Sequence, residues 1–124
     1  MPAELLHKEL TFAILGCAQR VHARLGPGFP ERVYYKALAH EFRKTGLEFV
    51  FKAKFRVQYD GADCGLFETD FFVENKVILE MKAATALCSQ NAAQTLAYLK
   101  ASGIQVGLLI NFGETQLRVK RFVN

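Results

Sequence analysis

Asp70, Glu80 and Lys82 are the residues of this chain whose types and spacing best suit chemistry. Glu80 and Lys82 lie two apart in Val77-Ile78-Leu79-Glu80-Met81-Lys82, an apolar run of strand length. Both side chains therefore leave one face, about 7 Å apart along the chain, while Val77, Leu79 and Met81 take the other. Asp70 precedes them across the polar turn Glu74-Asn75-Lys76. If the turn is a three-residue loop, Val73 opposes Val77, Phe72 opposes Ile78 and Asp70 opposes Glu80. A two-residue loop at Asn75-Lys76 would put Asp70 opposite Met81, and a slip of one residue sends a strand's side chains to the wrong face.

Two carboxylates facing each other repel and raise one another's proton affinity, so they favour a hard divalent cation with oxygen ligands, Mg²⁺ or Mn²⁺. An ammonium group at Lys82 beside a metal-bound water would orient or deprotonate that water, or stabilise charge building on a phosphoryl oxygen. This is equipment for metal-assisted phosphodiester hydrolysis. The same three residues also read as a surface ion-pair ladder on a solvated sheet face.

The elements that must position them can be traced by periodicity. Leu6, Leu10, Ala13, Ile14, Cys17, Val21 and Leu25 mark one face of a long first helix, broken at Gly26-Pro27-Gly28. Pro30 suits the first turn of a second helix, with Tyr34, Leu38 and Phe42 on one face and Gly46 closing it. From Phe51 to Tyr59 the period becomes two, with Phe51, Ala53, Phe55, Val57 and Tyr59 on one face and Lys52, Lys54, Arg56 and Gln58 on the other. Asp60-Gly61 is a hairpin turn signal, so a strand over about Gly65 to Val73 returns antiparallel, and 77–82 completes a three-strand meander. Ala83 to Ser102 reads as a loop and a third helix, and Val106–Asn111 and Leu117–Phe122 as two final strands around Gly113. The expected architecture is a single α/β domain over 1–124, a mixed sheet of four to five strands flanked by helices.

Composition agrees: 124 residues, 51% hydrophobic, 12% aromatic and 23% charged make one compact domain and exclude disordered and collagen-like classes. The net charge of +4 and a pI near 9.1 suit a polyanionic partner without marking one. Cys17, Cys64 and Cys88 are odd in number and share no short spacing, so they form neither a disulfide framework nor a zinc knuckle, and a reducing cytoplasm is expected. Ile14-Leu15-Gly16-Cys17 has some likeness to a lipoprotein cleavage site, but Glu4, Lys8 and Glu9 interrupt a run already short for a signal peptide. No run approaches membrane-spanning length.

Gly28-Phe29-Pro30-Glu31-Arg32-Val33-Tyr34 matches the Gly-x-x-Glu-x-x-Tyr signature of the GxxExxY protein family, grouped with the PD-(D/E)XK nucleases. The resemblance extends to Val21-His22, Leu25 to Gly28, Asp70, Glu80-x-Lys82, Gln94 and Tyr98, Gly107 to Phe112, and Lys120-Arg121, whose order and spacing are specific together. It implies a restriction-endonuclease-like core in which Asp70 and Glu80 are metal ligands, Lys82 is catalytic and Glu31, on a helix, lies near the metal. Gln94 and Tyr98 resemble the motif of RecB-type nucleases on the helix after the catalytic strands. The chain departs from the family pattern twice: Glu68 stands where members carry a basic residue two before the strand Asp, and Arg20 where they carry an acidic one before Val21-His22. The exchange reads either as a compensated pair or as a changed electrostatic site, with Glu68 adding negative charge on Asp70's face.

Each residue also has a plainer reading. Glu31 in a first helical turn suits the helix dipole, Gln94 and Tyr98 one turn apart suit a partly buried polar pair, and His22 suits a helix face. Lys52, Lys54 and Arg56 would grip phosphates of a nucleic acid, or keep an exposed strand from pairing with another chain. The leading function is a Mg²⁺- or Mn²⁺-dependent nuclease, with DNA favoured over RNA and a two-fold homodimer compatible with cutting both strands. The alternatives are a catalytically silent nuclease-fold module that binds nucleic acid or a protein, and an unrelated α/β interaction protein.

Overall fold

A computed structural model of the chain describes residue 2 and residues 6–124. Glu4, one of the charges counted against a leader, lies outside the described residues. Helix α1 (Lys8–Leu25) buries Ile14, Cys17, Ala18 and Val21 and ends at Gly26, whose N–H donates to the His22 carbonyl. Helix α2 (Glu31–Thr45) begins one residue later than its proline suggested, with Pro30 at the N-cap position. It buries Tyr34, Leu38, Ala39 and Phe42 and closes on a left-handed Gly46, as the pattern required. Among the described residues no helix is long and apolar enough to cross a membrane.

Among the described residues five strands follow in one sheet of order β1-β2-β3-β4-β5: β1 (Phe49–Tyr59), β2 (Ala62–Val73), β3 (Val77–Lys82), β4 (Val106–Asn111) and β5 (Arg118–Val123). The meander β1-β2-β3 is antiparallel, β4 joins β3 in parallel after α3 (Ser89–Ser102), and β5 returns antiparallel. Asp60 and Gly61 both have positive φ, as a two-residue hairpin of the right hand of twist demands. The core lies where α1 and α2 cover one face of the sheet, packing onto Phe71, Val73, Val77, Leu79, Met81, Val106, Leu108 and Ile110. Helix α3 lies on the opposite face, where a Cβ on Gly107 would stand 3.1 Å from the Leu99 side chain.

One expectation for β1 is overturned. Phe51 packs on Phe71 and Tyr35, on the α2 side. Phe55 instead meets Phe67 and Phe72, and Phe67 stacks on Tyr98 of α3 at 4.3 Å. Strict alternation would have put Phe51 and Phe55 on one face. The break is at Lys52, which has a φ of 58°. The pairs Phe51↔Phe71 and Ala53↔Thr69 flank it in one register, with Lys52 and Asp70 left between them. The ribbon thus turns over at a crease, and Asp70 sits in it.

Candidate metal centre and active site

The three-residue loop sets the register of β2 on β3: Val73↔Val77, Phe72↔Ile78 and Phe71↔Leu79. Asp70 and Glu80 come next, and there the backbone ladder stops. The Asp70 N–H donates to Glu80 Oε2 at 3.1 Å, and the Met81 N–H donates to Asp70 Oδ2 at 2.7 Å. Each carboxylate satisfies a backbone donor that the ladder would otherwise have paired, which removes the penalty of a buried orphan group. The two strands are opened into a fork with a carboxylate on each prong.

Glu80 is buried, and its proton affinity is pushed up to about 9 by that burial first, then by the neighbouring Asp70 charge and a hydrogen bond between the two carboxyls; Lys82 acts in the opposite direction. The pair therefore carries a proton where a cation could sit. Its donors are hard oxygens, the kind Mg²⁺ and Mn²⁺ take, and Mg²⁺ needs only one or two protein carboxylates when water and phosphate supply the rest. Among the described residues no group of three His, Cys, Asp or Glu side chains converges for metal binding; Asp70 and Glu80 meet as a pair.

Glu31 reaches this pair indirectly. The Tyr35 hydroxyl, one helical turn further along α2, lies 2.9 Å from Glu31 Oε1 and 3.1 Å from Asp70 Oδ1. Its single proton can be donated to one of them at a time. The phenol's proton affinity is raised by burial first and by the Asp70 charge second, so it stays a neutral donor. Lys82 ends β3 half-buried, on the face it shares with Glu80. Its partner in β4 is Asn111, a fully buried residue whose side chain bonds both the N–H and the carbonyl of Ala84 at 3.0 and 2.9 Å. Gly113 completes the clamp, since a Cβ there would lie 2.3 Å from the Ala84 carbonyl oxygen. The chain leaving Lys82 is held from two sides.

The other expected residues divide. Tyr98 stands near the carboxylates, its proton affinity raised by burial first and by the charges of Glu80, Asp70 and Glu68. Gln94, one turn earlier, is exposed. Lys52, Lys54 and Arg56 are exposed but do not form one free row: Lys52 lies over the Phe51 ring at 5.4 Å, Lys54 stands opposite Glu68 in the β1–β2 register, and Arg56 is in an ion pair with Asp63. Arg20 bonds Glu41 at 2.6 Å rather than Glu68. His22 Nε2 donates to the Glu114 carbonyl at 2.9 Å, a helix-face histidine. Tyr34, the motif tyrosine, is structural: its hydroxyl donates to the Gly26 carbonyl at 2.6 Å, and its ring stacks on Phe112.

Two residues that spacing did not single out are Tyr35 and Asn111. Tyr35 follows Glu31 by four, one turn on the same face, a signal that was legible. Nothing local marks Asn111, whose value depends on the strand beside it.

A family model for the PD-(D/E)XK nuclease superfamily matches residues 8–122. The chain belongs to the PD-(D/E)XK nuclease superfamily. No curated protein matches the sequence. Among solved structures, the crystal structure of SSO0001 superposes with a TM-score of 0.58 at 13% identity, over 95% of this chain and 59% of that one. At that identity the likeness is one of fold alone, and this chain spans about 59% of the length of its neighbour.

Proposed function

We propose that the chain is a Mg²⁺- or Mn²⁺-dependent nuclease of the GxxExxY group, hydrolysing phosphodiester bonds. The observation that carries this reading is the fork itself, with Asp70 and Glu80 bonded across it and Lys82 beside Glu80. Asp70 and Glu80 would hold the ion, which when bound polarises a phosphoryl oxygen and acidifies a water. Glu80 must give up its proton before it can ligate, so binding strengthens as pH rises. Tyr35 holds Asp70 Oδ1 in place from α2 and ties Glu31 to the same carboxylate. Lys82 orients the attacking water and offsets the charge that builds on the phosphoryl oxygen. Tyr98 and Gln94, on α3, would contact the strand being cut.

The free thiols Cys17, Cys64 and Cys88 suit a reducing cytoplasm, and a two-fold dimer would place two sites on one duplex. The test is incubation of plasmid, single-stranded DNA and RNA with the protein in Mg²⁺, Mn²⁺ or chelator, beside Glu80→Ala. Metal-dependent cleavage lost in Glu80→Ala is expected. Cleavage equal in the two proteins would reject the site, and no cleavage under any condition would leave the silent binding module as the better description.

A further inference from the structure

Between α2 and the edge strand β1 runs a groove of about 380 Å³ lined by Tyr35, Lys36, Ala39, Arg43, Phe49 and Phe51. Among the described residues no acidic side chain lines it. Neither Lys36 nor Arg43 is in an ion pair among the described residues. The two cations are two turns of helix apart, roughly 10 Å. The Arg43 guanidinium lies 5.3 Å from the Phe49 ring centre, and the Lys52 ammonium lies over Phe51, a ring that is 41% exposed. The inner end of the groove is Tyr35, whose hydroxyl bonds Glu31 and Asp70. The outer end, past Arg43, opens onto a larger depression of about 530 Å³ that carries Glu48 and Glu74.

We propose that this groove takes an unpaired strand of nucleic acid and leads it to the fork, with Phe51 as a stacking platform and Lys36, Arg43 and Lys52 on the phosphates. The inference rests on the nuclease reading for what lies at the inner end. Alternating aromatic and basic groups in one channel are what single strands require, since every unpaired base has a π-face to stack and a phosphate beside it. A duplex offers base edges only, its faces being covered by neighbouring pairs. Stacking of a base outweighs an exposed contact between a cation and a ring, so Lys52 can yield the Phe51 face and keep its charge for the backbone. A peptide of apolar side chains would instead bury Lys36 and Arg43 against nothing of opposite sign. The acidic depression at the outer end limits the path to a few nucleotides.

The test is fluorescence anisotropy in chelator with a short fluorescein-labelled single strand, as DNA and as RNA, and with the same DNA as a blunt duplex. The single strand binds more tightly than the duplex, in whichever sugar it prefers. Phe51→Ala weakens it about tenfold. The pair Lys36→Ala with Arg43→Ala, both on an exposed helix face and safe for folding, reduces the slope of log Kd against log salt by about 1.4, from about 0.7 per lost phosphate contact. In Mn²⁺ these variants raise KM for a tailed duplex and leave kcat nearly unchanged. A duplex bound as tightly as the single strand, a wild-type salt slope in the double variant, or a dimer in solution that the same substitutions dissolve would each overturn the groove. If the strand binds as described but no divalent ion supports cleavage, the nuclease reading fails and the groove stands. If cleavage depends on Glu80 while the groove variants behave as wild type, the groove alone fails.

Discussion

The pairing of β2 with β3 is closed at one end and open at the other. At the turn, Val73, Val77, Phe71 and Leu79 are buried, and their backbones meet in an unbroken ladder. Three residues further along the same two strands, the ladder gives way to carboxylates that bond backbone N–H groups directly. The closed end buries apolar side chains, each contributing about 1.5–3 kcal/mol. The open end forgoes ladder bonds and accepts a buried carboxyl of raised proton affinity. The difference shows how a small sheet can carry a charged site: the turn end supplies rigidity, and the carboxylates replace the bonds they interrupt, so no donor is orphaned.

Lys82→Ala should have the largest effect and separates the two ends most sharply. Cleavage falls on the order of 10²-fold or more, the scale for losing one group that stabilises transition-state charge, while melting temperature changes little. Wild-type rates in this variant would remove the lysine from the mechanism. Leu79→Ala, at the closed end, should reverse that pattern. It costs roughly 2–5 kcal/mol of stability in a denaturant titration, and the remaining folded protein keeps its response to Mn²⁺. A Leu79 variant that lost metal response before it lost structure would mean that the ends are not separable.

Intermediate effects lie with the ligands and their support. At free Mn²⁺ about a hundred times the dissociation constant, the wild type gains about 2.7 kcal/mol of stability. Asp70→Asn should gain almost none, and equal responses in the two proteins would argue against the site. Tyr35→Phe keeps the ring against Phe51 and Phe71 and deletes the hydroxyl. Its Mn²⁺ midpoint in the same thermal titration should move up by about tenfold, the lower end for loss of a group that orients a ligand. An unmoved midpoint would make Tyr35 a packing residue only.

A further effect is a slope with pH. In the folded, metal-free chain Glu80 holds its proton up to about 9, against an ordinary 4.5. Between those values the folded state binds a proton that the unfolded chain releases. The associated stability is fully present below about pH 4.5 and is lost as pH rises towards 9. Glu80→Gln cannot ionise, so its stability should be flatter across that window than the wild type's. Parallel profiles would show that the carboxyl is solvated.

Much of this molecule was legible without coordinates, because the relevant forces are local. Periodicity of three to four gave away α1 and α2, since one apolar face must be buried wherever the helix packs. Gly46 and Asp60-Gly61 marked a helix end and a hairpin because few residues tolerate positive φ. The loop Glu74 to Lys76 set the register that brings Asp70 level with Glu80, since the side-chain period of a strand leaves no intermediate choice. What only the tertiary structure decided depends on partners distant in sequence. The crease at Lys52 and Asp70 broke an alternation that the residues of β1 display without flaw, and it did so at the position facing the fork. Arg20 found Glu41 on α2 rather than Glu68, because α1 packs beside α2. Tyr35 became the link between Glu31 and Asp70, and Asn111 the clamp on Ala84, only when a helix and a parallel strand were laid against β2 and β3. A hydrogen bond between groups 35 or 27 residues apart leaves no periodic trace in either segment; its geometry exists only once the sheet has closed around it.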